Sequence, residues 1–212
     1  MRKLIVLTFV TLDGVMQAPG GPEEDSSGGF KYGGWSMPLF DDAVGQAMGE
    51  QMGHPFDLLL GRRTYDIWIN YWPHHGDNPI GKAFNQATKY VVTHRPVSTD
   101  WKKTVPIDGD VVGKIKKLKQ EDGPELQVHG SSNMIQTLLK NDLVDELWLK
   151  IYPITLGTGK RLFGEGTKPA GFRVLKSNVA PNGVIVASYG RAGDVKLGTV
   201  ELTPSGEQVI RS

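Results

Sequence analysis

One stretch, Leu126 to Phe163, constrains this chain more than any other. It reads LQVHGSSNMIQTLLKNDLVDELWLKIYPITLGTGKRLF. Leu126 to His129 is a short apolar run, and Gly130-Ser131-Ser132-Asn133 is a turn of small residues. Met134, Ile135, Leu138 and Leu139 then recur at the spacing of one buried helix face. Leu143 to Tyr152 reads as a second strand, and Gly157 and Gly159 close the segment. A strand, a helix and another strand joined this tightly must pack as a crossover on a parallel sheet. The small-residue turn also leaves the first N–H groups of its helix uncovered, at the positive end of the helix dipole. An anion can approach such a turn, and phosphate is the natural candidate.

The rest of the chain repeats this alternation. Lys3 to Val10 is a β-branched run that suits a strand buried on both faces, and it ends at the turn Thr11-Leu12-Asp13-Gly14. Gln17 to Gly34 is a long Gly/Pro/acidic loop of the kind that covers a site or stays disordered. Ser36 to Met52 reads as a helix capped by Ser36, with Pro38 in its first turn and Asp41 and Asp42 complementing its dipole. Strands are expected at Phe56–Leu60 and Lys89–Thr93. Helices are expected at Arg62–Tyr71, Ile80–Gln86 and Asp110–Glu121. Phe172–Ser177 and Val184–Tyr189 form a hairpin through Pro181-Asn182-Gly183, and Val195–Leu202 adds a further strand. The expected fold is α/β: a mostly parallel central sheet flanked by helices, with an antiparallel C-terminal hairpin. Residues 1–190 form one domain, and 191–212 a C-terminal extension.

In such sheets ligands bind at the carboxyl ends of strands, which selects three turns. Gly61-Arg62-Arg63-Thr64 offers a glycine, two guanidinium groups and a hydroxyl at a helix start. Thr93-His94-Arg95 offers another hydroxyl and a third arginine. Gly130-Ser131-Ser132-Asn133 offers backbone donors. Together they suit a dinucleotide with an additional phosphate, which favours NADPH over NADH. Trp35 is a candidate for stacking on a flat substrate, whereas Trp68 and Trp72 read as core.

Other chemistries find little support. The chain has no cysteine, so disulfides, thiolate metal sites and cysteine nucleophiles are excluded. A net charge of +1 gives no reason to expect a nucleic-acid partner. The N-terminal apolar run is interrupted by Thr8, Thr11 and Asp13 and reads as a strand rather than a leader. No stretch approaches a membrane span, so a cytoplasmic location is expected. Gly76 to Ala83 misses a P-loop because Ala83 stands where a hydroxyl would hold magnesium. His74 and His75 lack a second cluster and make no metal site. Gly157-x-Gly159 is not a Rossmann fingerprint.

The order and spacing of these pieces resemble the dihydrofolate reductase-like superfamily. Its nearest branch is the C-terminal reductase domain of the bifunctional riboflavin-biosynthesis deaminase-reductase. The resemblance is carried by Leu12-Asp13-Gly14, by LLLGRRTY from Leu58 to Tyr65 and by YVVTHR from Tyr90 to Arg95. Val128-His129-Gly130-Ser131 and LGTGKRLF from Leu156 to Phe163 complete it. It spans about residues 1–190 and implies an NADPH-dependent reductase with cofactor contacts at the three turns. It also implies that Asp13-Gly14 and the Gly157–Gly159 loop lie near the nicotinamide. Asp13, Asp41 and Asp42 are the candidate proton donors, since folate reductases use a carboxylate on the first helix. The implied substrate is a heterocyclic or ribosylaminopyrimidine-type compound, reduced by hydride transfer to a C=N or C=O bond. The alternatives are a folate or pterin reductase, or a nucleotide-binding protein of the same fold without turnover. No zinc-deaminase signature is present. The resemblance also implies a homodimer.

Overall fold

The computed structural model describes residues 1–202 and 207–211. Six parallel strands and one antiparallel hairpin make a single eight-stranded sheet. In chain order the strands are β1 (Leu4–Thr11), β2 (Phe56–Gly61), β3 (Lys89–Val92), β4 (Thr104–Ile107), β5 (Glu125–Val128), β6 (Glu146–Tyr152), β7 (Phe172–Val179) and β8 (Ile185–Arg191). Their order across the sheet is β4-β3-β2-β5-β1-β6-β8-β7, with only β8 running against its neighbours. The helices are α1 (Asp42–Gln51), α2 (Arg62–Trp68), α3 (Pro79–Gln86), α4 (Val111–Gln120) and α5 (Ser132–Lys140). A small separate ladder pairs β9 (Thr199–Leu202) with β10 (Gln208–Arg211). This is the expected mostly parallel α/β architecture with its C-terminal hairpin.

β1 is central, between β5 and β6. Both of its faces must therefore be apolar, and LIVLTFVT meets that demand with only Phe9 partly exposed. Leu4, Val6 and Val10 join a large core with Ile115 and Leu118 of α4 and Ile135 and Leu138 of α5. On the other side Leu58 and Leu60 of β2 pack with Tyr65 of α2 and Phe84 of α3. Every parallel crossover thus ends at the same rim of the sheet, where the carboxyl ends of β1, β2, β3 and β5 meet.

The structure corrects the expectations at several places. The helix expected from Ser36 starts at Asp42, after a 3-10 turn over Met37–Leu39. Ser36 makes no cap; its hydroxyl donates to the Pro19 carbonyl at 2.8 Å, while Asp41 caps α1 by accepting the Val44 N–H at 2.9 Å. α2 stops at Trp68 rather than Tyr71. β4 was not foreseen: TVPI is short, largely exposed and interrupted by Pro106, which only an edge strand tolerates. Of the C-terminal extension, the strand expected over Val195–Leu202 is reduced to Thr199–Leu202, while residues 203–206 and 212 lie outside the described residues. No described helix is long and apolar enough to cross a membrane.

Candidate functional site

The turns after β2 and β5 are interlocked. The Gly61 N–H donates to the Gly130 carbonyl at 3.1 Å. A Cβ on Gly61 would stand 2.1 Å from Ser131 Oγ and 2.9 Å from the Ser131 backbone nitrogen, and one on Gly130 would stand 2.6 Å from Thr64 Oγ1. The two glycines are required by this contact rather than by an unusual φ. The Gly130-Ser131 peptide is cis.

Beside the interlock lies a groove of about 810 Å³. Gly61, Arg62, Arg63, Thr93, Arg95, Ser131 and Asn133 all contribute to its walls. The helix starts facing it differ from the others. α1, α3 and α4 are capped by side chains of Asp41, Asn78 and Asp110. α2 and α5, which open onto the groove, have no side-chain cap. Uncapped N–H groups retain their need for an acceptor, and the α5 dipole adds a favourable field for an anion.

The three arginines are not equivalent. Arg62 is committed. Its Nε bonds both oxygens of Asp66 at 2.7 and 2.9 Å, and its Nη1 donates to the carbonyls of Pro96 and Arg95 at 2.6 and 3.3 Å. It holds the loop after β3 in place. Arg63 pairs with Asp25 of the long loop at 2.7 Å. Arg95 lines the groove, is exposed, and has no side-chain partner among the described residues.

A second, smaller cavity of about 260 Å³ shares Arg63 and Ser131 with the groove. Thr64 and Ser132 lie on its wall as well. Its floor is β1 (Leu7, Thr8, Phe9), and one wall is aromatic, from Trp68, Trp72 and Phe84. Trp68 stacks on Phe84 with centroids 4.7 Å apart. His129 joins that wall, 5.4 Å from both rings. Burial, with a smaller push from Lys150, drives its pKa down to about 3, so the imidazole is neutral at physiological pH. The long loop roofs the cavity and is ordered. Gln17 donates to the carbonyls of Asp25 and Ser27, and Asp25 receives Lys160 Nζ at 2.5 Å and Ser27 Oγ at 2.6 Å.

Several sequence candidates fall outside this cavity. Trp35 is 8% exposed, packs edge-on to Tyr152 at 5.3 Å and donates its indole N–H to the Gln17 carbonyl, so it is core. Trp68 and Trp72, read as core, are the ones on the cavity wall. Helical spacing identified their shared face but not what that face meets. Asp13 accepts Thr11 Oγ1 at 2.5 Å and the N–H groups of Leu156 and Gly157 at 3.2 and 2.8 Å, with Arg161 at 3.5 Å. These bonds, Thr11's foremost, hold its carboxyl below the usual range and keep it an anion that ties β1 to the Gly157 loop. Asp41 caps α1 and Asp42 is exposed; neither lines the cavity. Gly157 and Gly159 shape the loop that delivers Lys160, with Gly159 pressed against Phe30 and Val15. Glu24 and Asp25 are the cavity's carboxylates, and sequence reading passed over both. Their one signal was the acidic run Glu23-Glu24-Asp25 inside a long loop with no periodicity of its own.

The RibD C-terminal domain profile matches residues 2–186. The chain belongs to that family. Among its relatives is the uncharacterised protein YyaP of Bacillus subtilis, 25% identical over 192 residues, which are 89% of this chain and 94% of YyaP. A solved structure from Shewanella sp. PV-4, described as a riboflavin biosynthesis protein, superposes with a TM-score of 0.63 at 25% identity. It covers 90% of this chain and 99% of its own. The fold is also that of dihydrofolate reductase from Enterococcus faecalis, solved in complex with NADP(H) and RAB-propyl. That TM-score is 0.56 at 15% identity, over 89% of this chain and 96% of the other. The RibD C-terminal family assignment and these neighbours make the protein reductase-like in fold.

Proposed function

We propose that this RibD-type chain is an NADPH-dependent oxidoreductase that reduces a flat heterocycle of the ribosylaminopyrimidine type. The observation that carries the reading is the pair of uncapped helix starts, α2 and α5, facing one groove beside an unpartnered arginine. Backbone donors of α5, with Ser131 and Asn133, would take the pyrophosphate, and Arg95 the ribose 2′-phosphate. Arg63 and Ser131 line both groove and cavity, so they would hold the nicotinamide end of the cofactor at the cavity mouth. The cofactor, when bound, supplies a hydride; the chain supplies position, an aromatic wall and exclusion of water. Support for the substrate class comes from that wall and from the riboflavin-biosynthesis description of the Shewanella relative. Folate reduction loses its main support, since neither Asp41 nor Asp42 reaches the cavity.

The test is a fluorescence titration with both dinucleotides. Arg95→Ala is expected to weaken NADPH about tenfold, the value of one charge-assisted contact at an exposed site, and to leave NADH within about twofold. Equal losses for both would remove Arg95 from the 2′-phosphate, and no binding of NADPH to the wild type would end the reductase reading.

We also propose a homodimer. β7 is an edge strand whose Val174, Leu175 and Val179 are 58, 44 and 65% exposed. An open apolar edge of this kind is normally covered, and a second copy of the chain is the simplest cover. Light scattering should give twice the chain mass, and Val174→Lys should shift it toward monomer.

A further inference from the structure

Two carboxylates line the inner cavity, and they differ in what holds them. Asp25 is neutralised by Arg63 at 2.7 Å and Lys160 at 2.5 Å. Glu24 has no such partner. Its Oε2 accepts the Gly20 N–H at 2.7 Å, which fixes the carboxyl against its own loop, and no side chain among the described residues pairs with it. Gly20 lines the same cavity.

We infer that Glu24 is the proton donor of the reaction, delivering its proton to the nitrogen of the C=N bond that takes the hydride. This rests on the reductase reading above. The balance is that of a C=N reduction: the carbon gains hydride from NADPH, the nitrogen gains the Glu24 proton, and NADP⁺ and a Glu24 carboxylate remain. Water then returns a proton to Glu24.

The rival donors are each otherwise engaged. Asp13 is held as an anion outside the cavity, and His129 is neutral. The charged and titratable groups facing Glu24 are Asp25 on its own loop, Arg63 of α2, Lys160 after β6 and His129 after β5. Arg63 and Lys160 are spent on Asp25. Burial is the largest influence on Glu24 and raises its pKa against the lowering effect of the Gly20 and Gly21 N–H groups, with the Asp25 carboxylate a smaller upward push. A carboxyl whose pKa is raised, standing on the cavity wall with no cation paired to it, is suited to general-acid catalysis.

Glu24→Gln is nearly isosteric and keeps an oxygen for the Gly20 N–H. NADPH fluorescence comes first: wild type and variant should bind within about twofold of each other, and no binding to the wild type would count against the reductase reading rather than against Glu24. Carboxyl ¹³C titration of the NADPH-loaded protein follows, with Glu24 assigned by its loss in the variant. A midpoint above those of the exposed glutamates is expected. A midpoint among them overturns the proposal, whether or not an acceptor has been found. For any acceptor that the wild type reduces, among dihydropterins and ribosylaminopyrimidines, kcat of Glu24→Gln should fall about 100-fold. Its alkaline limb should vanish, and Glu24→Asp should recover part of the rate. Wild-type turnover by Glu24→Gln would overturn the assignment.

Discussion

Gly61→Ala is expected to abolish measurable NADPH binding while leaving a folded protein of lower stability. Gly61 has φ −72° and ψ 151°, which alanine adopts freely, so backbone strain is not the cause. Space is the cause: the new methyl would fall 2.1 Å from Ser131 Oγ and 2.9 Å from Ser131 Cβ and N. A hydroxyl can rotate away, but the backbone nitrogen can yield only by moving the turn that opens α5. Overpacking of this kind costs about 1–3 kcal/mol, a Tm fall of about 2–4 °C for each kcal/mol in a chain of this size. Binding should suffer more than stability, because the displaced turn carries the donors assigned to the pyrophosphate. A loss of about 100-fold or more is the expected reading, together with a cooperative melt. Gly130→Ala should be milder, since its methyl meets only the Thr64 hydroxyl at under 3.0 Å, and that side chain can turn. Ser131→Gly in the Gly61→Ala background removes Oγ and Cβ but not the nitrogen, so it should restore part of the affinity. A Gly61→Ala protein that binds NADPH like the wild type would show that the interlock of the two turns is not what shapes the groove.

That interlock was half legible in the sequence. Leu126–His129 and Phe56–Leu60 read as strands because each is short, carries apolar residues (Leu126 and Val128; Phe56 and Leu58 to Leu60) and is stopped by a glycine. Each is followed by a glycine-led turn and a helical period, so both turns were singled out, and a parallel sheet puts them on the same rim. Their hydrogen bond and mutual exclusion of Cβ atoms were not legible, because they depend on β2 and β5 being neighbours in the sheet. The arginines were legible as residues but not as states. Arg62 finds Asp66 one turn along its helix, a pairing that spacing alone could have suggested. Arg63 finds Asp25 across a loop whose course no local pattern records. Glu24 was missed for the same reason. Asp13 drew attention by its place after β1, yet its hydroxyl and N–H donors make it a tie between two loops rather than an acid.

Two buried lysines extend the reasoning to stability, and they should respond in opposite directions. Lys89 is fully buried, yet its ammonium donates to the carbonyls of Phe84, Asn85 and Ala87 at 3.1, 3.2 and 2.8 Å and lies 4.5 Å from the Trp101 ring centroid. It closes the C-terminal end of α3. Lys150 is 3% exposed and its ammonium has one hydrogen-bond partner among the described residues, the Gln51 side-chain oxygen, with the Phe9 ring 5.7 Å away. Removing Lys89 strands buried carbonyls, each costing about 1–3 kcal/mol, so Lys89→Met should destabilise by roughly 2–4 kcal/mol even after the cost of burying its charge is recovered. Lys150→Met strands one amide oxygen and relieves a larger burial cost, so the Tm at pH 7 should hold or rise. Burial holds the folded pKa of Lys150 at about 7 and, with Lys103, that of Lys89 at about 8, against 10.5 unfolded. The unfolded chain therefore binds more protons between those values, and stability must rise with pH from about 7 toward 10.5. Each lysine contributes at most about 1.4 kcal/mol per pH unit within its window. Urea melts between pH 7 and 9.5 should show that rise in the wild type and a shallower one in Lys150→Met. A wild-type stability that is flat or falls across this range would mean that Lys150 keeps its proton in the folded state.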